Sequence, residues 1–305
     1  MGNTSTTNAS NAAKKLQVEK SKFLNIAEEL FGKIFSYLEP EELINKYVVS
    51  KQFRENIIQN LKNRKGKIHV PREFETINKA YNFIEKNQNF MFNDNGEIVE
   101  SSSESSVRNR VFHTIVLDPG QHLVEKDEDN QNLLNIECPV MIVGDPNAEK
   151  EDITVMGSFC ITANGVHVEH LTIRGSKYSG VKLNGQSSCT LTDLMINQCR
   201  DGVVAYGSDA VLNCTNIMVS KCIYSGVYAD WGATIILRGN RTLITDNCLD
   251  GRSSSYGLDV DGPYSKIQIV KPLTKEAISK GNKGGGNWGR NGVLLWIKLK
   301  PLKSK

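Results

Sequence analysis

The sequence predicts a mostly β domain built as a coil of parallel strands, on the strength of two recurring marks and their residue types. Gly180-Val181, Gly202-Val203, Gly226-Val227 and Gly257-Leu258 mark one phase of a repeat. Leu171-Thr172-Ile173, Leu194-Met195-Ile196, Ile217-Met218-Val219 and Leu243-Ile244-Thr245 mark a second. Successive marks lie roughly 22 to 30 residues apart, which is the range of stacked repeats. The units are too short and too rich in Val, Ile, Thr and Gly for helix pairs, and their apolar positions alternate.

In such a coil, rungs stack ~4.8 Å apart, so like residues stand above like. Inward positions form apolar columns, and the corners need Gly or Asn because the backbone bends there through conformations that side chains resist. Asn164-Gly165 and Asn184-Gly185 read as equivalent corners. Cys189 with Cys214, and Cys199 with Cys222 and Cys248, read as thiol columns inside the coil. No single turn buries its own apolar face, so stability comes from stacking several.

Composition narrows the class. A chain of 305 residues holds one large domain and a small one, and 39% hydrophobic with 23% charged residues fits a soluble globular protein. A net charge of +3 is too mild to imply nucleic acid as a partner. No run approaches the ~18 apolar residues of a membrane span. The seven cysteines are odd in number, form no Cys-x-x-Cys, and follow no apolar leader, so reduced thiols in cytoplasm or nucleus are expected. No metal or cofactor is expected: His167 and His170 lack a Cys or acid that completes a ligand set.

In chain order, residues 1–22 are Asn-, Ser-, Thr- and Lys-rich and are expected to be a disordered tail. Met1-Gly2-Asn3-Thr4-Ser5-Thr6 fits the myristoylation pattern, although one acyl chain anchors only weakly. From Phe23 to Leu61 the period becomes helical. Leu30, Ile34, Tyr37 and Leu38 give one helix an apolar side, Pro40 suits a helix start, and Val49, Phe53, Ile57 and Leu61 recur on a third. Three helices in about 40 residues bury little, so this unit is marginal unless it docks on something. Asn63 to Val70 reads as a basic connector, and 73–86 as an amphipathic helix covering the open first rung, with Phe74, Ile77, Tyr81 and Ile84 on one side. A Ser-rich stretch, 93–108, reads as an exposed insertion. Thr114 to Leu117, Asp118-Pro119-Gly120 and Val140 to Val143 begin the coil. Lys271 to Lys280 reads as a short crossing helix, and Gly284 to Gly289 as a tight turn, since no Gly-Lys-Ser/Thr follows. Gly292 to Leu299 closes the last rung with Trp296 inside, and 301–305 is a basic tail.

Two stretches resemble known families. Ile26-Ala27-Glu28-Glu29-Leu30, Ile34-Phe35-Ser36-Tyr37-Leu38-Glu39-Pro40-Glu41-Glu42-Leu43 and Val48-Val49-Ser50-Lys51-Gln52-Phe53-Arg54 together resemble an F-box, with Ala27 where that family usually has proline. The resemblance implies that 23–62 is a helical module binding the Skp-type adaptor of cullin-RING ubiquitin ligases. Leu30, Ile34, Phe35, Leu38, Pro40 and Leu43 would make the adaptor contacts. Phe74 to Ile77, Ile115 to Gly120 and Val140-Met141-Ile142-Val143-Gly144 resemble the opening of the carbohydrate-binding and sugar-hydrolase-like right-handed parallel β-helix (pectin-lyase-like) family. Together the resemblances cover most of 23–300, and the coil is expected over 63–300 with roughly eight turns. F-box units joined to such coils look like substrate receptors of eukaryotes and large DNA viruses.

Many β-helix proteins cleave polysaccharides, and Asp259 and Asp261 are the best catalytic candidates here. Alternation puts both on one face, ~7 Å apart, near the separation used by inverting glycosidases. Asp246, Asp250, Arg238 and Arg241 are possible neighbours. Against catalysis, all five histidines lie at or before His170, and the Gly-His-Gly and Arg-x-Lys of polygalacturonase-like enzymes are missing. The sequence therefore predicts a non-enzymatic adaptor. Its coil presents a target-binding strip at Tyr206, Tyr224, Tyr228 and Trp231 to a protein the sequence does not name. The alternatives are a glycan-binding or glycan-cleaving coil, and a structural coil of a virus particle.

Overall fold

The computed structural model describes residues 51–95, 98–100, 110–127, 129–289 and 293–297. Residues 1–50, most of the 93–108 insertion and the 301–305 tail lie outside the described residues, and with them Leu30, Ile34, Phe35, Leu38, Pro40 and Leu43.

Period-two segments become strands, and every strand of the coil pairs in parallel with its equivalent one turn away. The first sheet has nine strands, from Lys67–Val70 and Thr114–Leu117 to Val293–Ile297. The second has seven, from Gly120–Leu123 to Ser279–Lys280, and the third has seven, from Leu133–Ile136 to Gly286–Gly289. The described residues thus make seven complete three-stranded turns, with an extra first-sheet strand at either end. A separate antiparallel pair, Phe90–Phe92 with Ile98–Glu100, flanks the coil.

Register explains the composition. Ile68, Ile115, Ile142, Val168, Leu191, Cys214, Leu237 and Ile269 stack in one inward column of the first sheet. All eight are fully buried. Removing each of these side chains from water contributes about 1.5–3 kcal/mol before conformational entropy opposes it. Val181, Val203, Val227 and Leu258 form the matching column of the third sheet, so the Gly-Val phase is a true register. The second phase holds for Leu171, Leu194 and Ile217 but slips by one at its fourth mark, where Leu243 lies opposite Met218.

Three corners close each turn, and each is a ladder of left-handed residues. Between the first and second sheets stand His170, Asp193, Asn216 and Gly239. Between the second and third stand Gly175, Gln198, Lys221, Asp246 and Gly281. Gly185, Gly207, Trp231 and Gly262 turn the third sheet back to the first. In most of these the left-handed residue donates its N–H to a carbonyl of the next turn: His170 to Thr192, Asp193 to Thr215, Gln198 to Ser220, Gly185 to Tyr206. This interturn bond explains why residues with a side chain accept the positive φ. Asn164-Gly165 and Asn184-Gly185 share the third-to-first bend, but Asn164 Oδ1 accepts from Ser188 N at 2.9 Å, so the two pairs are offset within it.

Several expectations are corrected. Residues 67–70 are no connector: Lys67–Val70 is the first strand of the first sheet, and Ile68 and Val70 are buried. Flanking Lys and His residues hid that alternation. Gly286–Gly289, expected in a turn, is the last strand of the third sheet. Cys189 lies opposite Leu212 and Cys214 opposite Leu191, so these thiols occupy neighbouring columns, not one. Cys199 and Cys222 do share a position, but the next turn offers Asn247 there and Cys248 one residue on. An asparagine ladder takes over: Asn247 Oδ1 accepts from Cys222 N, and Asn282 Oδ1 from Asn247 N, both at 3.0 Å.

The N-terminal helix Ile77–Lys86 behaves as expected. Thr76 Oγ1 caps it by accepting from Lys79 N at 3.2 Å, which sets its start four residues later than the apolar pattern alone suggests. Ile77, Ala80, Tyr81 and Ile84 face the coil core. The preceding helix Lys51–Arg64 contributes Leu61 to that core, and Arg64 pairs with Glu73. The crossing helix is Lys275–Ile278, capped by Thr274. Val293–Ile297 continues the first sheet, while the Trp296 side chain lies outside the described residues.

All seven thiols are free. Burial pushes Cys199 up to about 11 and Cys189 and Cys248 up to about 12. A thiol-specific disulfide reagent should therefore label the native chain rapidly at Cys160 alone, the one half-exposed thiol. Labelling all seven without denaturant would contradict this packing.

Candidate functional site

Outward positions of the third sheet form two neighbouring columns. One runs Lys182, Val204, Tyr228, Asp259; the other runs Asn184, Tyr206, Asp230 and, one turn on, Asp261. Beside the second column the third-to-first corner carries Trp231 where its neighbours carry glycine. A bulky residue at φ 53 costs energy that glycine avoids, so its presence calls for a reason. Its N–H also departs from the corner rule, donating at 2.7 Å to Asp230 Oδ1.

The side chains make a ledge. The Trp231 and Tyr206 rings stack with centroids 5.3 Å apart and planes at 27°. Lys182 Nζ sits 5.8 Å from the Tyr206 centroid at one end. Tyr228 Oη donates to Asp230 Oδ2 at 2.7 Å, and Gly262 N donates to Asp261 Oδ1 at 2.9 Å. Tyr264 stands beside Gly232, the residue after Trp231. Trp231 is 68% exposed and Tyr264 77%, although every neighbouring inward residue is buried. Three of the four expected strip residues, Tyr206, Tyr228 and Trp231, are thus brought together.

Tyr224 is not among them. It lies at the opposite edge of the third sheet, where its ring is occupied by the chain's own cations. Arg252 lies 4.6 Å and Arg200 5.9 Å from its centroid, and Arg200 also covers Tyr178 at 5.7 Å. Arg200 pairs with Asp201 and Arg252 with Asp250. This corner is a filled cation–π ladder.

The catalytic candidates separate. Asp259 is fully enclosed, and Ser225 Oγ donates to its Oδ2 at 2.6 Å. Asp261 reaches the corner surface. One carboxylate is therefore closed to substrate, and the two do not flank a common space as a glycosidase pair must. Asp246 sits in the second-to-third corner, Arg238 in the first sheet, and Arg241 pairs with Asp193, so none of them joins the pair.

A cleft of about 790 Å³ opens on the outer face of the first sheet near its start, lined by Lys67, His69, Arg72, His113, Asp145 and Glu169 among others. Burial and the adjacent Arg72 hold His69 below its ordinary value. Burial and Arg110 do the same for His113. Both imidazoles are neutral at pH 7, and Arg72 is committed to Asp118 by two bonds of 2.5 and 2.6 Å. Nearby, Asp193 gathers Lys150 at 2.7 Å, His170 at 2.9 Å and Arg241 at 3.1 Å, tying several turns together. Among the described residues no group of three or more His, Cys, Asp or Glu is arranged to hold a metal ion. No helix among them is long and apolar enough to cross a membrane.

Sequence reasoning missed Lys182, Asp230 and Tyr264. Their signal was present: Lys182 and Asp230 follow directly from the Gly-Val register, and Tyr264 from the corner glycine at 262. Comparison with known proteins agrees with this architecture. The model of the family described as the right handed beta helix region matches residues 157–286. No curated protein and no solved structure matches the chain.

Proposed function

From a right-handed parallel β-helix that carries an exposed aromatic ledge, we propose a recruiting adaptor. Residues 23–62 dock on a Skp-type subunit of a cullin-RING ligase, and the coil grips a target protein. Ubiquitin transfer belongs to the other subunits, and the chain itself performs no chemistry. The observation that carries the coil's role is the Tyr206–Trp231 stack, held out from a rigid scaffold at a backbone position where glycine would be cheaper. The docking role rests on the F-box resemblance of 26–54. Apolar anchors such as Ile34 and Leu38 would enter a groove on the adaptor.

A pull-down with the full-length chain tests it. The parent chain should retain the adaptor, and Ile34→Asp with Leu38→Asp should lose it by on the order of a hundredfold while the coil stays folded. Retention by the double variant, or no retention by the parent, rejects the adaptor role. A second reading, glycan binding, is favoured by the same ring faces beside the Asp230 and Asp261 carboxylates, because sugars present both C–H faces and hydroxyl donors.

A further inference from the structure

The two edges of the third sheet carry aromatic rings and carboxylates of the same kind. At the second-to-third edge, tyrosine and arginine alternate along the coil axis: Tyr178, Arg200, Tyr224, Arg252. Each arginine is balanced by a carboxylate, Asp201 or Asp250. At the third-to-first edge the aromatic rings recur as Tyr206, Trp231 and Tyr264, and the carboxylates recur as Asp230 and Asp261. Lys182 is set over the ring at the Tyr206 end. The outer faces of Trp231 and Tyr264 meet solvent beside carboxylates.

We infer that this ledge is a docking site for a basic, extended segment of a partner protein, whose Arg and Lys side chains stack on Trp231 and Tyr264 and face Asp230 and Asp261. The inference deepens the recruitment reading and rests on it for the role of the ledge; it adds the chemistry of what is recruited. Three features support a cation over a neutral ligand. Rings with acidic neighbours attract guanidinium and ammonium groups by quadrupole and charge together. The opposite edge shows the same side chains satisfied in that way by this chain's own arginines. Rungs spaced ~4.8 Å apart present rings and carboxylates at intervals that alternate side chains of an extended peptide can reach.

Trp231→Gly is a clean variant, because Gly185, Gly207 and Gly262 already occupy the equivalent corner positions. The experiment measures fluorescence anisotropy of a labelled decapeptide of alternating Gly and Arg with the full-length chain, beside its Gly-Glu counterpart and a neutral cello-oligosaccharide. The Arg peptide should bind, with affinity falling as salt rises. Trp231→Gly should weaken it about tenfold, and Asp230→Asn with Asp261→Asn by a similar factor. Equal binding of the Glu peptide, absence of Arg-peptide binding, or an unchanged affinity in Trp231→Gly overturns the inference. So does binding of the oligosaccharide that disappears in Trp231→Gly while the peptide is ignored. No adaptor is present in this assay, so failure here leaves the adaptor pull-down to stand or fall alone.

Discussion

Gly202→Ala lowers the stability of the coil by about 3 kcal/mol, one of the largest single-methyl effects expected in this chain. Gly202 faces inward, and a Cβ built there would lie 2.2 Å from Val219 Cγ1 and 2.3 Å from the Gly226 carbonyl oxygen. The second neighbour is backbone of the next turn, which cannot rotate away. Relief would require the turns to separate, and their spacing is set by continuous parallel hydrogen bonding along the third sheet. Gly185→Ala is the control: its φ is +73, yet no atom lies within 4 Å of the added Cβ. That change costs only the left-handed conformation, about 1–2 kcal/mol. Urea melts of both variants decide the matter. If Gly202→Ala loses no more than Gly185→Ala, the close approach of turns described here is wrong.

Asp193→Asn is the other large effect, about 3 kcal/mol. The Lys150 ammonium is nearly enclosed, with 9% of its side chain exposed, and Asp193 is the carboxylate that balances it. Removing that charge leaves Lys150, His170 and Arg241 converging on a neutral group. Lys150→Met should be milder, because it removes the enclosed charge as well as a partner. Burial pushes the Asp193 carboxyl up, but hydrogen bonds from Lys150 and His170 and the charge of Arg241 outweigh it and hold it below 3.8. Burial pushes His170 down, but the Ala148 carbonyl and Asp193 outweigh it and hold it above 6.5. The signs follow from linkage. The Asp193 contribution is complete above 3.8 and is lost as pH falls through its depressed folded value. The His170 contribution is complete below 6.5 and is lost as pH rises through its elevated one. The cluster therefore stabilises most between those two values, and Asp193→Asn should flatten the melting temperature against pH on both flanks. An unaltered pH profile in the variant would mean that the cluster does not couple these turns.

Much of this architecture was legible from local pattern. The Gly-Val phase translates directly into register, and the Leu-x-Ile phase does so for three of its four marks, because a parallel stack places equivalent residues one above another and demands the same polarity from each. The apolar spacing of Ile77, Tyr81 and Ile84 announced the capping helix for similar local reasons, while the Thr76 cap that sets its start was not read from the pattern. The thiol columns were misread because spacing counted from one cysteine to another ignores where each turn gains or loses a corner residue. Asn247 takes the place assigned to Cys248 through one such shift. The Lys67–Val70 strand was missed because its outward residues, Lys67 and His69, are polar and its partner lies 47 residues away across the Ser-rich insertion, from Lys67 to Thr114.

The candidate site divides along the same line. Sequence alone determined that this chain is a coil of parallel strands and that Tyr206, Tyr228 and Trp231 fall near its corners. Those properties depend on order and periodicity, which are written along the chain. Only the tertiary structure decided that Tyr224 belongs to the opposite edge, that Asp259 is enclosed while Asp261 is not, and that Trp231 replaces a glycine in a left-handed ladder. Exposure and side-chain company depend on which turn covers which. That is settled by residues 20 to 50 positions distant, through stacking free energy that no single turn possesses by itself.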